Sequence, residues 1–464
     1  MKETFEEGED ELALAECCNA GEEKDTLYGW IESSDSRSTD CSDIESVSQA
    51  ETARDESSSV EMKLRQKKAL LDFRCMVEDA ILGNYILETP KSSDNNNNKN
   101  QKQNKNGTKQ REISLWGIPL LPSKCHESTD FVLLKFLKAR DFKVDEAFEM
   151  LQKTLIWRKD YKTDAIVEEN LNLDRDLENV MFMNDVDKKG HPLFYAVYGA
   201  FKDKGLYKKV LGSEESRERF LRWKIQLMEK CATNISLKAG EEADSVLQIT
   251  DFKNSPGPEM KELRSVIKKS FVLLSTNYPE FVYKNILINV PFWYYTSYLV
   301  SKKFMFPGAK RKIVVARRSK VTRTLLKYIS PENLPVEYGG LRRPNDAEFL
   351  AEDTASELII RGNSSGCITV PVFEGGVTMI WDFTVVGWDV TCKEEFIPDD
   401  EGSYRVLLRK YKEKRIGESI RNSFYIYEPG KLVITIDNTN LKKKKVYYRS
   451  KTKPYLPTYA LSNR

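Results

Sequence analysis

The chain has 464 residues, 40% hydrophobic and 31% charged, too long for one ordinary domain and enough for two folded cores with charged extensions. Its formal net charge of +2 conceals an asymmetry, because residues 1–60 hold 18 acids against 4 bases, a net of −14, and the remainder carries +16. No run approaches about 18 uninterrupted apolar residues, and the eight cysteines show no C-x-x-C or paired spacing, which argues against a bilayer-spanning helix, a zinc module and a disulfide framework.

Residues 1–60 are rich in Glu, Asp and Ser and poor in apolar residues, so they read as a disordered acidic tail. The tail either competes with an anionic partner for the basic body or simply keeps the chain soluble. It shows no apolar core of the signal-peptide kind, so the expectation is a cytoplasmic protein. Over residues 61–84, Leu70, Phe73, Val77 and Ile81 recur at helical spacing and predict an amphipathic helix. Residues 85–112, with a polar run from Ser92 to Gln110, read as a low-complexity linker.

From Ile113 the composition turns globular. Asp130 to Lys138 predicts a helix with Leu133, Phe136 and Leu137 on one face, and Asp145 is the expected cap of a second helix carrying Phe148, Leu151, Leu155 and Trp157. Strands are expected at Leu193–Tyr198, Val246–Asp251, Asn285–Val290 and Ile313–Ala316, alternating with helices over Glu214–Ala232 and Pro258–Ser275. That alternation implies a mostly parallel sheet faced with helices. Beyond Pro344 the helical signal fades. Ile368, Val370 and Val372 alternate, Gly375-Gly376 leads into Val377–Val386, and Glu428 to Lys431 forms a turn between Phe424–Tyr427 and Leu432–Asp437. Short strands with turns read as an antiparallel sandwich.

Catalytic patterns are scarce. The two histidines are His126 and His191, and the latter lies in a turn before a strand, a structural position. No P-loop, G-x-S-x-G elbow or H-E-x-x-H is present, so an enzyme is not expected and no cofactor or metal is called for.

Three stretches carry a resemblance. The run Leu133-Leu134-Lys135-Phe136-Leu137-Lys138-Ala139-Arg140-Asp141-Phe142 resembles the opening signature of the CRAL-TRIO lipid-binding fold. Asn277-Tyr278-Pro279-Glu280 followed by Ile286 to Pro291, and Glu332 to Gly340, match its middle and its close. With Ile113 to Leu121 ahead of them and the acidic tail and sandwich around them, the whole resembles the patellins. The resemblance implies a multidomain chain: a helical N-terminal part of the CRAL-TRIO unit over 113–190, its α/β lipid-binding core over 191–342, and an all-β GOLD sandwich over 343–464. It also implies that a bound phospholipid is the ligand. In phosphatidylinositol-transfer relatives the head group is held by charged residues that fall on Arg140, Glu280 and Lys312 here. A family threonine falls on Ala309, and the strand before Asp251 offers Val246 and Gln248 where small hydroxyl residues hold choline lipids. The expected ligand is therefore a phosphoinositide rather than phosphatidylcholine. Cationic side chains suit a phosphate in a partly dry cavity independently of the resemblance.

The family's mobile gate falls on Phe292, Trp293, Tyr295, Leu299 and Phe306, of which Phe292, Tyr295, Leu299 and Phe306 can share a helical face; an ordinary core helix is the alternative. Lys302, Lys303, Lys310 and Arg311 belong to a stretch, Ser301 to Lys327, with ten Lys/Arg and no Asp or Glu. Aromatic residues beside an acid-free basic run suit an anionic membrane surface. Lys442 to Arg449 is a second basic-aromatic run, read by preference as an edge strand shielded by lysines. The leading reading is thus a non-enzymatic lipid-binding and transfer protein of membrane trafficking, cytoplasmic and peripheral. By resemblance it acts at the plasma membrane or the cell plate of dividing cells, with unidentified trafficking or membrane proteins on the GOLD domain. A carrier of a small hydrophobic ligand and a cargo or scaffold adaptor are the rivals. Nucleic acid is not expected as a partner.

Overall fold

The computed structural model describes residues 49–88, 113–235, 243–255, 261–292, 294–295, 312–350, 352–387, 389–413 and 419–454. The elements run in chain order as α1 (Gln49–Leu82), β1 (Ser114–Leu115), β2 (Ile118–Pro119), α2 (Thr129–Ala139), α3 (Val144–Tyr161), α4 (Asp174–Leu177), β3 (Met181–Val186), β4 (Pro192–Val197), α5 (Lys204–Leu211), α6 (Glu214–Asn234), β5 (Val246–Asp251), α7 (Lys261–Asn277), β6 (Val282–Ile288), β7 (Ile313–Val315) and α8 (Val321–Leu325). A β-only half follows with β8 (Ser356–Ile360), β9 (Ser364–Val372), β10 (Val377–Val385), β11 (Val390–Pro398), β12 (Val406–Glu413), β13 (Ile420–Ile426), β14 (Gly430–Asn438) and β15 (Lys444–Pro454).

The first half is built on a five-stranded sheet in the order β3-β4-β5-β6-β7. β4 to β7 pair in parallel, and β3 adds an antiparallel edge. Alternation along each strand divides the apolar side chains between two faces. Phe194, Ala196, Val246 and Leu287 pack with the helices, including Phe73, Val77 and Ile81 of α1. Leu193, Tyr195, Ile249, Ile286 and Ile288 pack on the other face with Leu325, Ile329, Tyr338 and Leu341. The Glu332–Gly340 motif has a backbone reason. Gly339 sits at φ +86°, and a Cβ on Gly340 would meet the Leu334 carbonyl oxygen at 1.9 Å, so the turn closes only with two glycines.

The second half is a sandwich of two four-stranded antiparallel sheets, β13-β10-β15-β8 and β12-β11-β14-β9. Ile368 and Val372 from one sheet and Trp381 and Phe383 from the other fill its core, with Leu432, Ile434 and Ile436 of β14. The turn at Glu428 to Lys431 is present, but it carries the chain from one sheet to the other, not between paired strands.

Several local expectations are corrected. Asp145 is not the cap of α3: Lys143 holds that position, and Asp145 stands in the first turn, where its charge faces the positive end of the helix. The helix expected from residue 61 begins at Gln49. Residues 1–48, and 89–112 of the linker, lie outside the described residues. β6 starts at Val282, and the helix expected at Pro258 is described from Lys261. The edge-strand reading of Lys442 to Arg449 fails, because β15 is interior, paired to β10 along one side and to β8 along the other. Its lysines are tied down locally: Lys444 donates to the Gly387 carbonyl and Lys445 to Glu357.

Candidate functional site

Two of the three expected head-group residues meet. Glu280 follows α7 in a tight turn at φ +57°, a left-handed conformation that costs a non-glycine residue about 1 kcal/mol. Such strain persists only where the surroundings over-determine it. Here Lys135 of α2, fully buried, supplies part of that constraint. Its ammonium donates to the Asp244 carbonyl at 2.7 Å and to the Glu280 carbonyl at 3.3 Å, and lies 4.8 Å over the Phe281 ring. Burial pulls the Lys135 pKa down, against the charge of Asp244. The Glu280 side chain is thereby presented to Lys312, just before β7, whose Nζ donates to Oε1 at 2.6 Å. The two side chains are 27% and 35% exposed, so the pair is half-buried yet reachable by a ligand.

Arg140 does not join that pair. It caps the C-terminus of α2, is exposed, and its guanidinium has no ion-pair partner among the described residues. Lys135, five positions earlier in the same signature, is the residue the sequence reading passed over. Its only sequence signal is a lysine set among Val132, Phe136 and Leu137, all buried.

The turn is braced from behind. Tyr278 donates to Glu229 of α6, which also accepts from Arg158 of α3 at 2.6 and 3.0 Å. Against burial, which pulls it down, the hydrogen bonds and charge of Glu229 raise the Arg158 pKa above its ordinary value. Trp116, from the β1–β2 hairpin, packs edge-on to Phe281 at 4.4 Å.

On the helix-facing side of the sheet, Gln248, Thr250 and Asn285 make a polar patch. Gln248 donates to the Thr250 hydroxyl, which donates to Asn285 at 2.9 Å. Val246 is buried, and Thr250 is the one of these that offers a hydroxyl on this face. On α6, Lys224 is buried, and its hydrogen-bond partners among the described residues are neutral, the Ser270 hydroxyl at 2.7 Å and the Tyr198 hydroxyl at 3.5 Å. Of the gate residues, Phe292 is 81% exposed, and Tyr295 closes a helical turn on the Pro291 carbonyl. Tyr294, within the same aromatic run, packs on Phe252 at 4.9 Å. Trp293, Leu299, Lys302, Lys303, Phe306, Lys310 and Arg311 lie outside the described residues, as does Ala309.

His191 is structural: its Nδ1 lies 3.1 Å from the Asp187 carboxylate, and its ring stacks on Tyr283. A cleft of about 570 Å³ beside α6 is lined by Tyr161, Glu169, Arg219 and Arg222. Its charges are spent on one another, since Arg222 donates to Glu169 at 2.7 Å and Arg219 to Glu215 at 2.8 Å.

Comparison with known proteins gives matches to three family descriptions: "CRAL/TRIO, N-terminal domain" over residues 91–153, "CRAL/TRIO domain" over 178–340 and "Patellin-1-like, C-terminal GOLD domain" over 361–445. Patellin-4 of Arabidopsis thaliana is 50% identical over 74% of this chain and 62% of its own length. Patellin-3 of the same plant is 40% identical over 88% of this chain and 85% of its own. The chain thus spans under two thirds of Patellin-4 but most of Patellin-3. A protein of Cryptococcus neoformans var. neoformans serotype D named phosphatidylinositol transfer protein SFH5 is 29% identical over 49% of this chain and 79% of its own.

Proposed function

The chain belongs to the patellin family, and on that premise we propose that it is a non-catalytic carrier of phosphoinositides that docks reversibly on anionic membranes. The observation that carries the reading is the Glu280–Lys312 pair, half-buried and held by a strained turn. Lys312 gives one N–H to Glu280 at 2.6 Å, and an ammonium has three. The other two suit phosphate oxygens, while Glu280 can accept from sugar hydroxyls. Arg140, without a partner among the described residues, supplies a second cation that a head group can recruit. The name of the cryptococcal relative, a phosphatidylinositol transfer protein, supports the same ligand class.

Magnitudes divide the work. Each buried acyl CH₂ is worth about 0.8 kcal/mol, so exposing two long chains to water costs on the order of 20 kcal/mol. Acyl burial therefore retains the lipid, and the polar residues select it. Docking by Lys302, Lys303, Lys310 and Arg311, at about 1 kcal/mol per cation near an anionic leaflet, is weak enough to reverse. Exchange then takes place at the bilayer with the gate open, and the site of action is the cytoplasmic face of a membrane, the plasma membrane or cell plate in this family. A carrier of an uncharged hydrophobic molecule would have no phosphate for Lys312 and Arg140.

Extraction of lipid from liposomes with and without phosphatidylinositol phosphates tests this on the wild type, Lys312→Ala and Arg140→Ala. Selective extraction lost in both variants is the expected result. Selectivity unchanged in both would remove the head group from this pair.

A further inference from the structure

The sandwich carries an aromatic surface that neither its core nor the lipid reading uses. Phe373, Tyr404 and Tyr427 are 83%, 91% and 81% exposed. They stand on three separate loops, yet those loops converge. The amide of Gly376 donates to the Ile426 carbonyl, and that of Asp399 to the Pro429 carbonyl. Ser403 donates to Glu428 at 2.8 Å. Val372, Pro398 and Gly430 meet in register at the ends of β9, β11 and β14. The three rings thus sit at one tip of the sandwich, and Tyr427 is braced edge-on by Tyr425 at 4.6 Å. Three nearly bare aromatic side chains presented from pinned loops at one tip put apolar surface into solvent where a partner can cover it.

Charge identifies the occupant. Glu374, Asp399, Asp400, Glu401 and Glu428 lie on the same three loops, against Arg405 and Lys431. None of those five carboxylates has an ion pair among the described residues. Asp400 and Glu428 both approach the Ser403 hydroxyl, at 3.2 and 2.8 Å, and its single proton serves one of them at a time. A cation laid across the tip would meet carboxylates at the rim and ring faces beside them, and aromatic faces attract ammonium and guanidinium groups. An anionic leaflet would be repelled by the same carboxylates.

We propose that this tip is a docking surface for an extended, Lys/Arg-rich segment of another protein. The aromatic rings take the side-chain stems and cation faces, and Asp400 with Glu428 takes the charge. This inference stands apart from the lipid reading, because the tip shares no residue with the Glu280–Lys312 pair.

Isothermal titration of the full chain with an alternating arginine–glycine octapeptide tests it. The acidic residues 1–60 will bind such a peptide as well, so the readout is the difference between wild type and variants that leave them intact. Expected is a roughly tenfold or greater loss of affinity in Phe373→Ser/Tyr404→Ser/Tyr427→Ser, and a similar loss in Asp400→Asn/Glu428→Gln. Melting temperatures should be unchanged, because the three rings and Asp400 are exposed and Glu428→Gln keeps an acceptor for Ser403. If the aromatic variant melts lower, the carboxamide variant alone decides. Equal affinity in wild type and variants would overturn the proposal. So would an aromatic variant that keeps the peptide but loses phosphatidylcholine vesicles, which would make the tip a membrane-inserting surface.

Discussion

Three lysines of the lipid-binding half differ only in surroundings, and the surroundings decide what each does. Lys135 is paired with Asp244 and two carbonyls, so it is a strut. Lys312 shares one carboxylate and stays reachable, so it is a contact. Lys224 is buried against hydroxyls and aromatic rings with no carboxylate partner among the described residues, and burial pushes its pKa from 10.5 down to about 7. The unfolded chain keeps the ordinary value. Between about pH 7 and 10.5 the unfolded state therefore holds a proton that the folded state lacks, and stability rises with pH across that window. Below about 7 the whole penalty is present, on the order of 5 kcal/mol. Lys224→Met, similar in volume, should raise the melting temperature most near pH 6 and least near pH 10. A gain of equal size at every pH would remove the burial explanation. At Lys312, truncation to Ala deletes charge-assisted hydrogen bonds worth about 1.5–3 kcal/mol each. Phosphoinositide affinity should fall by roughly a hundredfold or more, with vesicle binding through the basic run retained. A variant that extracts lipid as the wild type does would contradict the contact role.

At the scale of elements, α3, α6 and the end of α7 are joined by Arg158, Glu229 and Tyr278, both charged side chains being about 5% exposed. Breaking a buried pair from one side leaves a charge without compensation and costs about 3–5 kcal/mol. Glu229→Ala leaves Arg158 only the exposed Asp164 carboxylate, at 2.6 Å, and should therefore destabilise by up to that amount in denaturant unfolding. Arg158→Met/Glu229→Leu should recover most of it, since replacing both partners with apolar groups leaves no orphaned charge. A double variant no more stable than Glu229→Ala would mean that packing, not charge, sets the cost. Which elements were legible follows from how local their signals are. β5 was readable to the residue, because Val246, Leu247 and Ile249 form a short β-favouring segment between Asp244-Ser245 and Asp251. The apolar face of α1 was readable because Phe73, Val77 and Ile81 repeat at its period. β3 was not, because Met181–Val186 contains Asn184-Asp185 and pairs through a register break. The place of β15 between β10 and β8 was invisible because strand order is a long-range property that its lysines do not report. The Glu280–Lys312 pair spans 32 residues, and only the resemblance pointed to it; nothing pointed to the carbonyl that Lys135 holds.

For the whole molecule the question is whether the sandwich is tethered to the lipid-binding half or fused to it. The back of the five-stranded sheet answers. Val386 and Tyr447 of the sandwich pack in one cluster with Leu193, Tyr195, Ile249 and Leu341. Thr384 donates to the Gly339 carbonyl at 3.1 Å, and Arg449 to the Leu341 carbonyl at 2.8 Å. Just past that junction, Arg343 reaches Asp382 at 2.6 Å, and Asp346 takes both Nη groups of Arg421 at 2.7 Å. Asp382 is fully buried, and Arg343 from the connecting segment adds to the two cations, Arg421 and Arg449, that the sandwich itself supplies to it. Burying Val386 and most of Tyr447 adds about 1.5–3 kcal/mol each. Together these couplings are comparable to the total stability of a typical domain, about 5–15 kcal/mol. The two halves should therefore unfold as one unit, in a single calorimetric transition. Val386→Ala/Tyr447→Ala should split it in two, because the hydrogen bonds and ion pairs that remain lose the apolar packing that keeps water from them. Two transitions in the wild type would mean that the contacts form without coupling. The junction lies at the Val385 and Val446 ends of β10 and β15, and the aromatic tip lies beyond the Val377 and Pro454 ends. Coupled unfolding would thus fix the tip at the far end of the sandwich, in a constant position relative to the lipid site. A partner bound at the tip would then be held at a set distance from a membrane bound at the other half.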